Sequence, residues 1–351
     1  MPILAIICLP MFKSAEDTLE QLRAVGYFTN AEIALAVYAA AEEYTPILLE
    51  GPAGAGKTEM AKAVQRATGM KMFRLQCYEG VTKDEAQGTF SSELRELYIK
   101  FHDGNYQEAQ NHIQDRQFFV AGPLLQALES LERCILLIDE IDKVSHAFEA
   151  LLLEYLGEWQ LSIPGLGQVN PKEPPFTIIT ANDERELGFP LLRRCARIYI
   201  DHPTPEQEAA IVASRTPTCS KEIHYFIAGF AHALREGRMR KPPSISEMIT
   251  LARVLARLKV EEIRDEHKSI ILPFIAKTHK DREGLLISGK FEELMNSART
   301  RAAGMKANDL EKAHAKTSAV ILIKDSLDAE PNDLNPSILL QSAPELEGVA
   351  Q

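Results

Sequence analysis

The chain has 351 residues, 45% of them hydrophobic and 25% charged, with a formal net charge of −11. This is ordinary for a folded protein of two or three domains and excludes a collagen-like or wholly disordered chain. The acidic balance repels polyanions and no long basic run offsets it, so neither nucleic acid nor an anionic membrane is expected as a partner.

Residues 3–12 are apolar, but the run is far shorter than the ~18–20 residues that span a bilayer, and no basic residue precedes it. Residues 1–17 are read as an N-terminal extension, with Met11 as an alternative start. The five cysteines (Cys8, Cys77, Cys134, Cys195, Cys219) are widely spread with no CxxC pair, and the nine histidines show no HExxH spacing. Neither a disulfide framework nor a zinc site is expected, a reducing cytoplasm fits, and the one metal anticipated is one that arrives with nucleotide.

Residues 15–42 read as helical with a break at Gly26. Short apolar runs of strand length follow at 46–49, 71–75, 134–138, 176–181 and 196–200, with helical patterns between them. The third run, Cys134-Ile135-Leu136-Leu137-Ile138, lacks polar alternation, as strands buried on both faces do, which predicts a parallel sheet covered by helices. From about 205 the strand pattern stops: 205–213, 220–235 and 244–258 read as helices, marking an all-helical second domain.

The segment Gly51-Pro52-Ala53-Gly54-Ala55-Gly56-Lys57-Thr58 fits GxxxxGK[ST] between a predicted strand and a predicted helix. Its glycines let backbone N–H groups turn toward phosphates at a helix N-terminus. Lys57 is expected to reach the β and γ phosphates and Thr58 to ligate magnesium. Asp139 and Glu140 end the apolar third strand; Asp139 is expected to hold magnesium through water and Glu140 to act as general base, the alternative being a solvated helix start. Asn182 follows the next strand and is a candidate to orient water near the γ phosphate, although Asn also favours turns. Arg193 and Arg194 are candidate arginine fingers, and Arg197 a weaker one; a surface ion pair is the alternative for each. Arg240, before Pro242-Pro243-Ser244, is the candidate to reach nucleotide from the helical domain, against a merely solvated basic loop. Residues 325–351 hold six acidic side chains, no Lys or Arg and three prolines, which predicts a disordered tail; the Ile338–Leu340 cluster is the alternative, a docking segment.

This order of motifs resembles AAA+ ATPases. More narrowly, Leu75-Gln76-Cys77-Tyr78-Glu79-Gly80, Gly122-Pro123-Leu124-Leu125, Ile138-Asp139-Glu140-Ile141-Asp142, Ile163-Pro164-Gly165-Leu166-Gly167 and Leu192-Arg193-Arg194-Cys195 are similar to the CoxD-like branch of the MoxR family, over about residues 18–260. The resemblance implies an ATPase using ATP and Mg2+, a hexameric ring with shared sites, and a partner carrying a von Willebrand factor A domain. It also implies a protein-remodelling or metalloenzyme-maturation role, and insertions at 81–117 and 158–169 as candidates to face a central pore. The Gly-Ala-Ser-Pro-Arg lid motif of relatives is replaced by Arg-Lys-Pro-Pro-Ser. The expected architecture is α/β: a three-layer αβα AAA+ core with a five-stranded parallel sheet (18–204), a helical lid (205–290), and a helical segment and acidic tail (291–351). A small-molecule P-loop kinase and a nucleic-acid-dependent motor are the rival readings.

Overall fold

A computed structural model of the chain describes residues 10–101, 112–237, 239, 241–260, 262–287 and 289–306. Arg240, Cys8 and the expected acidic tail lie outside the described residues.

Two helices lead in, α1 (Ala15–Ala24) and α2 (Ala31–Glu42), capped by the side chains of Ser14 and Asn30. The main sheet holds β1 (Ile47–Glu50), β2 (Met72–Gln76), β5 (Ile135–Asp139), β8 (Phe176–Thr180) and β9 (Ala196–Tyr199). Its order is β2-β5-β8-β1-β9 with every pairing parallel. Successive residues of the central strands serve opposite layers. Ile47, Leu49, Ile135, Leu137 and Ile178 pack with α1, α2 and α3 (Lys57–Thr68). Leu48, Leu136, Ile138 and Ile179 pack with α6 (Pro123–Leu128) and α7 (His146–Glu158). Each fully buried Leu or Ile is worth about 1.5–3 kcal/mol, so unbroken apolar runs are what a sheet covered on both faces demands.

Between β2 and β5 the chain forms α4 (Lys83–Gln87), β3 (Gly88–Phe90), α5 (Ser92–Phe101) and β4 (Phe119–Ala121). β3 and β4 pair antiparallel, so the insertion expected at 81–117 closes its hairpin just beyond that boundary. A second hairpin joins β6 (Leu161–Ile163) to β7 (Gly167–Val169).

After the short α8 (Phe189–Leu192) and β9, the described residues are helical: α9 (Pro205–Arg215), α10 (Lys221–Glu236), α11 (Ile245–Arg257), α12 (Lys268–Ile275) and α13 (His279–Leu286). Residues 290–306 are also helical. This last helix packs into the lid rather than standing apart, since Phe291, Met295 and Ala298 share a core with Phe230, Leu251 and Ile271. At the other end, within the stretch read as an N-terminal extension, Met11 and Phe12 are buried against the α1–α3 layer. Among the described residues no helix is long and apolar enough to cross a membrane.

Candidate nucleotide site

β1 ends at Glu50, and the turn from Gly51 to Gly56 carries the chain into α3. Gly51, Gly54 and Gly56 have φ of 141°, 81° and 100°, which side-chain-bearing residues rarely adopt. At Gly51 there is also no room: a Cβ would lie 2.0 Å from the Ile200 carbonyl oxygen. The Lys57 side chain folds back under the loop and donates to the carbonyls of Gly51 (2.7 Å) and Pro52 (2.8 Å). Burial holds its ammonium below the ordinary lysine range, against the opposing pull of Asp142, Asp183, Asp139 and Glu140.

Thr58 opens α3, and its hydroxyl donates to Asp139 Oδ1 at 2.8 Å; the Thr180 hydroxyl donates to the same oxygen at 2.6 Å. Asp139 is buried, and its Oδ2 accepts from Arg74 of β2. Glu140 stands in the left-handed region at φ 62°, ψ 50°, which costs an L-residue roughly 1–2 kcal/mol. Its N–H is held by the Thr180 hydroxyl at 2.9 Å. Its carboxylate accepts from Gln76 Nε2 (3.1 Å) and Lys143 Nζ (2.7 Å).

The loop after β8 is tied to buried Asp142, whose Oδ2 accepts from the backbone N–H groups of Asn182 (2.9 Å) and Glu184 (3.1 Å). Asn182 thereby lines the same cleft as Glu140 and Lys57. The arginine candidates are placed outside that cleft. Arg193 is exposed at the end of α8, with no hydrogen bond or ion pair of its side chain among the described residues. Arg194 donates to the Pro190 carbonyl at 2.8 Å and packs against Gly157, whose added Cβ would lie 2.9 Å from its Nε. Arg197 forms a two-bonded ion pair with Glu50 at 2.8 and 3.1 Å, the alternative foreseen for it.

The cleft has a volume of about 760 Å3. One wall is the Gly51–Thr58 loop, which meets the lid where Ser244 caps α11; a Cβ on Gly54 would lie 3.1 Å from Ser244 Cβ. Farther out it is lined by Tyr27, Phe28 and Ile33 of the α1–α2 region and by Ile211, Ile249 and Arg253 of the lid. A polar, N–H-rich end and an apolar end suit a phosphorylated nucleoside, with the base against the apolar residues. Sequence reasoning missed this apolar end, because single residues from three separate helical stretches carry no motif. Asp142 carries no signal of its own role in the sequence, because its partner loop lies 40 residues on, beyond any local pattern.

The donor set also bears on magnesium. Among the described residues no group of three or more His, Cys, Asp or Glu side chains converges as a metal cage. Thr58 and Asp139 offer one hydroxyl and one carboxylate edge, which fits a cation that keeps its waters and takes phosphate oxygens as further ligands.

Residues 46–195 match the family model described as AAA domain (dynein-related subfamily). An uncharacterized protein of Staphylococcus epidermidis is 25% identical over 255 residues, covering 70% of this chain and 89% of that one. One of Staphylococcus haemolyticus is 27% identical over the same length and coverage. The Lon protease of Heliobacterium modesticaldum is 32% identical over 177 residues, which cover 47% of this chain and 19% of the protease. Among solved structures, the Thermotoga maritima RuvB Holliday junction branch migration motor aligns with a TM-score of 0.41 and 18% identity, over 79% of this chain and 74% of that one. The fold is the P-loop AAA+ fold, a five-stranded parallel sheet followed by a helical C-terminal region.

Proposed function

We propose that the chain binds MgATP in this cleft and hydrolyses it to ADP and phosphate. The observation that carries the proposal is the meeting of Lys57, the Thr58–Asp139 hydrogen bond and Glu140 at the end of the parallel sheet, where the lid closes over the Gly51–Thr58 loop. Lys57, exchanging the carbonyls of Gly51 and Pro52 for phosphate oxygens, neutralises charge on the leaving group. Thr58 and Asp139 would hold magnesium, which would supply positive charge to the phosphates. Glu140 takes a proton from the water that attacks the γ phosphorus, and Asn182 orients that water. Arg193 and Arg194 lie outside the lining of their own cleft and act on a neighbouring subunit's nucleotide, so the working form is a ring, hexameric by the MoxR-like resemblance.

The same resemblance supports a protein as the object of the work, with a von Willebrand factor A domain partner and a metalloenzyme client. The net charge of −11 argues against a polynucleotide track. Phosphate release is the direct test. The wild type should release phosphate from ATP without forming a second phosphorylated product, and Lys57→Ala should lose nucleotide binding. A phosphorylated small molecule in place of free phosphate would make the chain a kinase. Co-purification with Glu140→Gln, held in its ATP state, should bring down the client.

A further inference from the structure

We propose that Arg74 is a resident counter-cation for the metal-holding carboxylate and sets how much divalent cation the site requires. This rests on the reading of Asp139 as a magnesium residue. Asp139 is only 2% exposed, and a carboxylate taken out of water needs a compensating charge. Lys57 does not form an ion pair with it, being turned to the carbonyls of Gly51 and Pro52. Among the described residues, Arg74 is the cation paired with Asp139, at 2.5 Å.

The two oxygens of Asp139 have separate tasks. Oδ1 accepts the hydroxyls of Thr58 and Thr180 and is the edge turned to the P-loop. Oδ2 is given to Arg74. Parallel pairing of β2 with β5 sets Gln76 opposite Asp139 and Arg74 opposite Leu137, and side chains two apart on a strand share a face. Gln76 uses that placement: its Oε1 accepts from the same Arg74 nitrogen, while its Nε2 donates to Glu140. The guanidinium is therefore braced on both sides, on an edge strand where its side chain remains 44% exposed.

A divalent cation approaching Oδ1 enters a field to which Arg74 adds a like charge. Arg74 thus acts as a positioning residue through Asp139: it neutralises the carboxylate while metal is away and lowers the affinity for metal when it comes. Thr58 and Thr180 keep Oδ1 oriented without it. Removing the charge should tighten metal binding, not abolish it.

The test titrates Mg2+ at a fixed concentration of a fluorescent methylanthraniloyl-ADP, using the full chain at constant ionic strength. In Arg74→Gln the Mg2+ concentration for half-maximal nucleotide binding should fall by about threefold to tenfold, the scale of a partly screened charge pair. Arg74→Lys keeps the charge but not the fork, and should stay within about twofold of wild type. An unchanged or increased Mg2+ requirement in Arg74→Gln overturns the inference, as does a Lys variant that shifts as far as the Gln variant. If Arg74→Gln does not fold, the double variant Asp139→Asn/Arg74→Gln must, because the carboxylate that needs the counter-charge is gone; a double variant that also fails to fold overturns the inference. Wild type that binds no nucleotide at all would instead remove the ATP reading on which it rests.

Discussion

The Thr58 hydroxyl and the Asp139 carboxylate meet at 2.8 Å across 81 residues of sequence. One residue lies in the first turn of the helix after β1 and the other ends β5, which β8 separates from β1, so the contact exists only when the sheet is assembled. Replacing Asp139 with Asn keeps a hydrogen-bond acceptor for both threonines and removes the charge. The Asp139→Asn variant should bind nucleotide in EDTA about as well as wild type. Its apparent Mg2+ affinity should fall by about 10- to 100-fold, measured by the dependence of nucleotide binding on Mg2+ concentration.

Glu140→Gln separates binding from chemistry. The amide keeps the size of the side chain but cannot accept the proton of the attacking water. ATP should therefore bind with near-normal affinity while steady-state phosphate release drops by about 100-fold or more. Turnover close to wild type would remove Glu140 from the role of base and leave its strained backbone without a catalytic reason.

The sheet was legible in the sequence because burial on both faces leaves uninterrupted apolar runs. The run at 134–138 became Ile135–Asp139, and that at 176–181 became Phe176–Thr180. The three-residue strands Gly88–Phe90 and Phe119–Ala121 were not, since a stretch that short shows no periodicity. Within the site, the loop from Gly51 to Thr58 and the Asp139-Glu140 pair announced themselves through residue types at fixed spacing. Arg74 and Gln76 did not, although the alternating exposure of β2 put both on one face. Register against β5 would have found them, by setting Gln76 beside Asp139.

The glycines of the phosphate loop should differ in cost for different reasons. At Gly51 a Cβ would overlap the Ile200 carbonyl oxygen at 2.0 Å, with φ at 141°, so backbone must move. Gly51→Ala should destabilise by about 3 kcal/mol or more in urea unfolding. At Gly56 nothing lies within 4 Å and only the φ of 100° is unfavourable. Gly56→Ala should cost about 1–2 kcal/mol. Equal losses at the two positions would contradict the packing seen at Ile200.

His202 follows β9 and lines the cleft, with its Nδ1 buried and lacking a hydrogen-bond partner among the described residues. Burial holds its pKa below the ordinary value of 6.5, helped by the positive charge of Arg235 and by His232 and Lys57, while Asp201 opposes. Between the lowered folded value and 6.5 the unfolded chain carries more proton than the folded one. This group's contribution to stability therefore rises with pH through that window and is lost as pH falls through it. His202→Gln removes the titration. The melting temperature of wild type relative to His202→Gln should fall between pH 7.5 and pH 5.5; a constant difference would rule His202 out as the cause.

The last prediction concerns the arginine pair, whose two members are held differently. Arg194 is tethered to the Pro190 carbonyl and lies against Gly157, whereas Arg193 is exposed and makes no side-chain bond among the described residues. Arg194→Ala should therefore lower the melting temperature of the isolated chain, and Arg193→Ala should leave it unchanged. A guanidinium supplied to a neighbour's γ phosphate is worth about 10^3 to 10^5 in rate, and it acts where charge develops in the transition state. The double variant Arg193→Ala/Arg194→Ala should accordingly lose phosphate release far more than ATP binding. Mixing it with Glu140→Gln under conditions of subunit exchange creates boundaries where an intact Glu140 meets an intact arginine pair, and those boundaries should regain activity. Mixed oligomers that stay inactive, or a verified monomer that hydrolyses ATP at the assembled rate, would refute a site shared between subunits. The single variants then assign the finger: whichever of Arg193→Ala and Arg194→Ala is inactive alone, while still folded and bound to ATP, and regains activity when mixed with Glu140→Gln, marks the guanidinium that crosses the boundary.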